Sequence, residues 1–180
     1  GTGTGGVDSD IAEEMLTNGY THWIEGDASK NGRSLHLKLR LKTPAHYYDC
    51  VNGFDQTNGI AIAADTTTSA ILYSHVIHLF WDSLSGGNEK IRFDAFAAVA
   101  AKDGNPDDVT EEDLAYQDLT NLLDENGSVL RDMDGTRVFY NDGGLLPSDS
   151  LNLQTFVEYA ARFSLHFNGV GLCLSAPLAK

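Results

Sequence analysis

The chain is short of basic residues: 12 Lys and Arg stand against 26 Asp and Glu in 180 residues, a formal net charge of −14. That balance argues against a nucleic-acid partner, which needs clustered cations on its surface, and against docking on anionic lipid through a basic patch. No apolar run reaches the ~18 residues that a membrane-crossing helix requires, and no signal-peptide pattern is visible. Cysteine is scarce. Cys50 and Cys173 lie far apart with no CxxC, which removes a zinc knuckle or a dithiol redox motif. The GxSxG elbow, the P-loop and HExxH are missing as well. Gly1, Gly3 and Gly6 satisfy GxGxxG, but no strand precedes them to set a pyrophosphate on a helix N-terminus, so a nucleotide site is rejected.

What is present is enough for a folded domain. Hydrophobic residues make up 42% and aromatics 9%, outside the disordered range, and a chain of this length buries a sizeable core. Turn signals are dense. Asn-Gly occurs six times, from Asn18 to Asn168, and Asp-Gly three times, at Asp103, Asp134 and Asp142. Such pairs adopt positive φ in tight turns and favour a strand-rich fold. Between Ser34 and Lys42 four leucines alternate with His36, Lys38, Arg40 and Lys42, the pattern of a half-buried strand. Tyr20–Gly26 is expected to pair with it. Further strands are expected at Gly59–Ala64, Ala70–Trp81 (the sheet centre, from its nearly continuous apolar run), Ile91–Ala101 and Val170–Ser175, with a hairpin at Val129–Tyr140. Two helices are predicted, Thr110–Asp124 behind a capping-box variant and Ser148–Phe167 after Pro147. The fold class expected is mainly β, a β-sandwich with two helical insertions (α+β). It forms a single domain over 7–180 behind a flexible Gly/Thr tether at 1–6.

Histidines carry the first site hypothesis. His75 and His78 sit in the most apolar segment, where an imidazole needs a partner. On a strand, residues three apart face opposite ways, so His78 is grouped with Asp82, four residues on, as a His–carboxylate pair. His166, in the last turn of the second helix, is the second donor, and His75 is the alternative donor if the strand is bulged. The competing reading makes them ordinary hydrogen-bonded core or cap histidines. Calcium is the second hypothesis. Lys102–Asp113 overlies an EF-hand register, but Lys102 stands at the first ligand position and Asp107 at the glycine position, which disables the loop. The stretch is expected to be exposed. Asp132 and Asp134 are the remaining calcium candidates.

The cysteines admit two readings: reduced thiols in a cytosolic protein, or one long-range disulfide in an exported one. The tract Gly1–Gly6 favours the second, because such a tract often follows a lipidated cysteine; a tag remnant is the alternative. HVIHLFWD at His75–Asp82, IRFDAFA at Ile91–Ala97, the acidic EF-like stretch and HFNGVGLC at His166–Cys173 add a resemblance. Together they resemble an uncharacterised group of bacterial secreted or surface lipoproteins with a paired-cysteine β-rich domain. They are more distantly similar to the copper-binding MbnP-like β-sandwiches. The resemblance implies export, a Cys50–Cys173 disulfide and metal ligation near His75, His78 and His166.

The sequence therefore points to an exported domain of the bacterial periplasm or cell surface, with a lipid anchor before residue 1. It is expected to be non-enzymatic and to bind copper or zinc through His75, His78, Asp82 and His166, since imidazoles suit these softer ions. The alternative is an extracellular interaction module with structural histidines, whose exposed acidic loops face an unknown protein partner.

Overall fold

The computed structural model describes residues 8–85, 89–100, 105, 107–132, 134–148 and 151–177. The expected tether at 1–6 lies outside them, as do 101–104 and 106 of the acidic loop. In chain order the elements are α1 (Ser9–Asn18), β1 (His22–Lys30), β2 (Arg33–Leu41), β3 (Ala45–Tyr48), β4 (Leu72–Ser74), α2 (Asp94–Val99), β5 (Asp108–Thr110), α3 (Leu153–Arg162), β6 (Leu165–Phe167), β7 (Gly171–Leu172) and β8 (Leu174–Pro177). The fold is mixed α/β and mainly strand. Among the described residues, eight strands are spread over three small sheets, β1-β2-β5, β3-β8 and β4-β6-β7, rather than gathered into two large ones, and they do not close into a barrel. No helix among the described residues is long and apolar enough to cross a membrane.

The best-formed part is the hairpin that the leucine alternation anticipates. β1 and β2 pair antiparallel from His22–Leu41 to Lys30–Arg33. Asn31 and Gly32 between them have φ of 54° and 81°, the double positive φ whose twist suits a two-residue hairpin. Leu35, Leu37, Leu39 and Leu41 are all buried, and Leu39 is 0% exposed. The other face pairs charges across the strands. Arg40 meets Glu25 at 2.5 Å and lies over the Trp23 ring, and His36 meets Asp27 at 2.8 Å. That Asp27 contact holds the His36 imidazole above its usual pKa. Beneath the leucines the core continues through Phe96 and Val99 of α2, Leu114, Leu122, Leu130, Val138, and Leu153 and Val157 of α3.

Several segments depart from the sequence reading for local reasons. Residues 91–100 of the expected strand hold α2, and Ala101 lies outside the described residues. Ala95 to Val99 are all buried, so no face alternates, and alanine is the strongest helix former. Residues 110–124 begin as expected, with the Thr110 N–H and hydroxyl both donating to the Asp113 carboxylate at 2.8 Å. Only a 3₁₀ turn, Asp113–Tyr116, follows. The Gln117 amide donates to the Leu123 carbonyl and accepts from its N–H, and Asp118 accepts from the Thr120 N–H and hydroxyl. Such side chains compete with helical backbone bonds. Asp113, expected to be exposed, is buried by these contacts. Gly59–Ala64 forms no strand, and Ile62 there is 80% exposed. The second helix is shorter than expected. Asn152 caps it in a reciprocal box with Thr155, and it ends at Arg162, so His166 falls on β6. The 129–140 segment turns as anticipated at Gly135 (φ 82°) but makes only isolated bridges, such as Arg131 to Arg137.

Candidate metal centre

The apolar run expected to be the central strand, Ala70–Trp81, is not one strand. After β4 it winds into a 3₁₀ helix, Val76–Phe80, with His75 at its N-cap. That overturns the expectation that His75 and His78 face opposite ways. A 3₁₀ helix has about three residues per turn, so positions i and i+3 eclipse. The His78 N–H donates to the His75 carbonyl at 3.0 Å and the Trp81 N–H to the His78 carbonyl at 3.3 Å. The Trp81 ring stacks on His78 with centroids 4.1 Å apart. Leu79 packs into the core and anchors the turn, while Ile71 and Leu72 stay 45% and 61% exposed.

β6 brings the third imidazole. It pairs antiparallel with β4, setting Tyr73 opposite His166. The His75 N–H donates to the Ser164 carbonyl at 2.7 Å, the Ile71 N–H to the Asn168 side chain at 2.8 Å, and the Asn168 N–H back to the Ile71 carbonyl at 2.8 Å. His166 then lies parallel to His75, with centroids 4.1 Å apart and planes at 15°, and edge-on to His78 at 5.2 Å. One ligand nitrogen from each of the three lies within 4.8 Å of the other two.

The electrostatics suit metal ligands. His166 is 8% exposed, and neither ring nitrogen makes a hydrogen bond. Burial, then the neighbouring His75 and His78, hold its pKa below the usual imidazole value against a weak pull from the Val170 backbone. Burial lowers His78 too, opposed by the Phe163 carbonyl, which faces its Nδ1 at 3.3 Å. With Nδ1–H donating there, Nε2 keeps its lone pair for an ion, the arrangement common to ligating histidines. Imidazole ligates in its neutral form, so the depressed pKa values favour binding.

Two expected sites are corrected. Asp82 is not with the histidines. Its carboxylate is held by the Arg92 guanidinium at 2.6 and 2.7 Å and by the Lys90 N–H at 2.9 Å, in a buried ion pair. The 3₁₀ helix broke the strand spacing that would have put it beside His78. Asp132 meets the same guanidinium at 2.8 Å, and Asp134 accepts from the Thr136 N–H at 2.8 Å to close its own turn. The calcium pair is therefore divided between an arginine and a turn.

Cys50 and Cys173 form a disulfide across 123 residues. It ties the loop after β3 to the β7–β8 junction, beside the His166 strand. The Val51 N–H donates to the Leu172 carbonyl at 2.8 Å and the Gly53 N–H to the Phe167 carbonyl at 3.2 Å. The backbones approach so closely that a Cβ on Gly171 would strike the carbonyl oxygens of Val51 and Phe167, and one on Gly53 that of Asn168. Sequence reasoning missed Trp81 and the Phe163 carbonyl as supports of His78. The three-residue spacing of His75, His78 and Trp81 fits a 3₁₀ turn but does not by itself select one. No family model, curated protein or solved structure matches the chain.

Proposed function

We propose that this is an exported, non-enzymatic metal-binding domain that holds one copper or zinc ion through His75, His78 and His166. The observation that carries the reading is the His166 ring: a buried imidazole with two unpartnered nitrogens, facing two further imidazoles. An orphaned buried polar group costs about 1–3 kcal/mol, and an ion bound by all three rings would partner one of the two His166 nitrogens. Nitrogen donors favour copper or zinc over calcium. The disulfide supports an oxidising compartment, the bacterial periplasm or cell surface. The resemblance to MbnP-like copper-binding domains belongs to the same proposal. Calorimetric titration of oxidised, chelator-stripped protein with zinc(II) and copper(II) tests it. One ion per chain is expected, and His166→Phe abolishes it. Equal binding by that variant, or none by the parent, overturns the reading.

A second reading, an extracellular interaction module, is favoured by the exposed Ile71, Leu72, Val76 and Ile77 around the same turn. It requires the titration to show no bound ion.

A further inference from the structure

A cavity of about 450 Å³ lies beside the disulfide, within the size range of small-molecule sites. The apolar part of its wall comes from Trp81, Phe163, Leu165, Leu172 and Leu174. Phe163, Leu172 and Leu174 are exposed to solvent, and exposed apolar side chains gathered around one concavity mark a binding surface. The charged part is of one sign. Asp49 and Glu89 line the cavity, and among the described residues no lysine or arginine does. Neither carboxylate has a hydrogen bond or an ion pair with another described residue. We propose that the cavity binds a small organic cation, a primary amine on an aromatic or alkyl body, with its ammonium on the Asp49 and Glu89 carboxylates and its body against the apolar wall. Of the three clustered histidines only His78 lines the cavity, and the proposal needs no bound ion.

Each part of the ligand follows from a wall. The apolar side chains take the body, and the Trp81 and Phe163 rings suit one that is itself aromatic. An anion would enter beside two like charges in a chain of net charge −14, which repels it. A neutral apolar molecule would cover the wall and leave both carboxylates unpaired. A bare metal cation such as calcium takes six to eight oxygen ligands, and two carboxylates among leucines do not supply them. An amine with an apolar body answers both kinds of wall at once. The walls come from separate parts of the chain that are tied together. The disulfide and the Val51–Leu172 hydrogen bond hold the loop of Asp49 against the strand of Leu172. The Trp81–Ile91 bridge closes the segment that carries Glu89. A site assembled before the ligand arrives loses less affinity to ordering.

The test uses oxidised, chelator-stripped full chain, so that its outcome is separate from that of the metal titration. The chain has two tryptophans; Trp23 lies under Arg40, and Trp81 lines the cavity and reports its filling by fluorescence. The protein is titrated with 2-phenylethylamine, 2-phenylethanol, ethylamine and phenylacetate. The amine with the phenyl body is expected to bind about tenfold tighter than ethylamine, because the phenyl group buries its area in the cavity. It should bind about fivefold tighter than 2-phenylethanol, the size of two partly exposed charge pairs, and that advantage should shrink as salt is added. Phenylacetate should bind weakest of the three phenyl compounds. Glu89→Gln with Asp49→Asn is expected to erase the advantage of amine over alcohol and keep alcohol binding; Asp49 holds φ at 48°, a conformation that asparagine also adopts. If 2-phenylethylamine leaves the fluorescence unchanged, or binds no tighter than 2-phenylethanol, the proposal is overturned. If Nα-acetyl-lysinamide binds tighter than 2-phenylethylamine, the occupant is a lysine side chain of a partner and the small-molecule assignment is overturned. These ratios are read on the parent protein, so a misfolded variant does not decide them.

Discussion

The leucine hairpin and the histidine lobe use apolar residues in opposite ways. In β2 every leucine of the alternation is buried, and the charged partners across β1 cover the wet face. Between Ile71 and Phe80, where seven of ten residues are apolar, only Leu79 is fully buried, while Ile71, Leu72, Val76 and Ile77 remain at the surface. The hairpin is held by burial of its leucines against the core that α2, α3 and the segments between them supply. The lobe is held by long-range ties: the 123-residue disulfide, the paired bonds of Ile71 with Asn168, and the contact at Gly53 and Gly171. Apolar content therefore marks a central strand only where burial is the dominant force. Where cross-links do the holding, the same residues are free to shape a site.

Removing the lobe's tie should give the largest effect. Replacing both cysteines by serine is expected to cost about 4 kcal/mol, near what the chain-entropy account gives for a loop of this length. It should also weaken metal binding, because the bond braces the strand carrying His166. Urea unfolding and zinc titration of the double variant check both halves. Leu39→Ala comes next. A fully buried leucine in the hairpin should cost about 3 kcal/mol and leave metal affinity within twofold. A loss of metal binding in that variant would show that the two regions are not separable.

His166→Phe should reverse the sign. It removes two unpartnered buried nitrogens, so the metal-free variant is expected to be more stable than the parent by about 1 kcal/mol. Zinc, which is expected to stabilise the parent, should leave it unmoved. Thermal melts with and without zinc read this out.

The smallest effect is the pH dependence of the metal-free protein. His78 and His166 have folded-state pKa values below the usual imidazole value, set first by burial. The unfolded chain thus binds protons that the folded one refuses. The stability contributed is complete above about pH 6.5 and is lost as pH falls from there through the folded-state values. His22 is shifted the same way by burial, so the histidine centre's share is the difference between the parent's slope and that of His166→Phe, which should be shallower.

Much of the body was legible because its residues obey one period. Leu35 to Leu41, the Asn31-Gly32 turn and the apolar stripe of α3 all state their burial locally. The three histidines were legible as a set, since buried imidazoles in apolar surroundings need partners. Their geometry was not. A strand and a 3₁₀ helix give opposite answers for residues three apart, and nothing in His75–Asp82 itself selects the turn. That choice comes from the Leu79 anchor in the core and from the pairing of β4 with β6. Asp82 was misplaced by the same step, because its true partner, Arg92, lies ten residues on and meets it across the Trp81–Ile91 bridge.

The most direct test of the proposed metal centre is anomalous diffraction from crystals of oxidised protein loaded with zinc or copper. The expected result is one peak per chain within about 2.0–2.1 Å of a nitrogen of each of His75, His78 and His166, with Asp82 still on Arg92. A peak at carboxylates away from these rings, or none while the three imidazoles stay as they are, would contradict it.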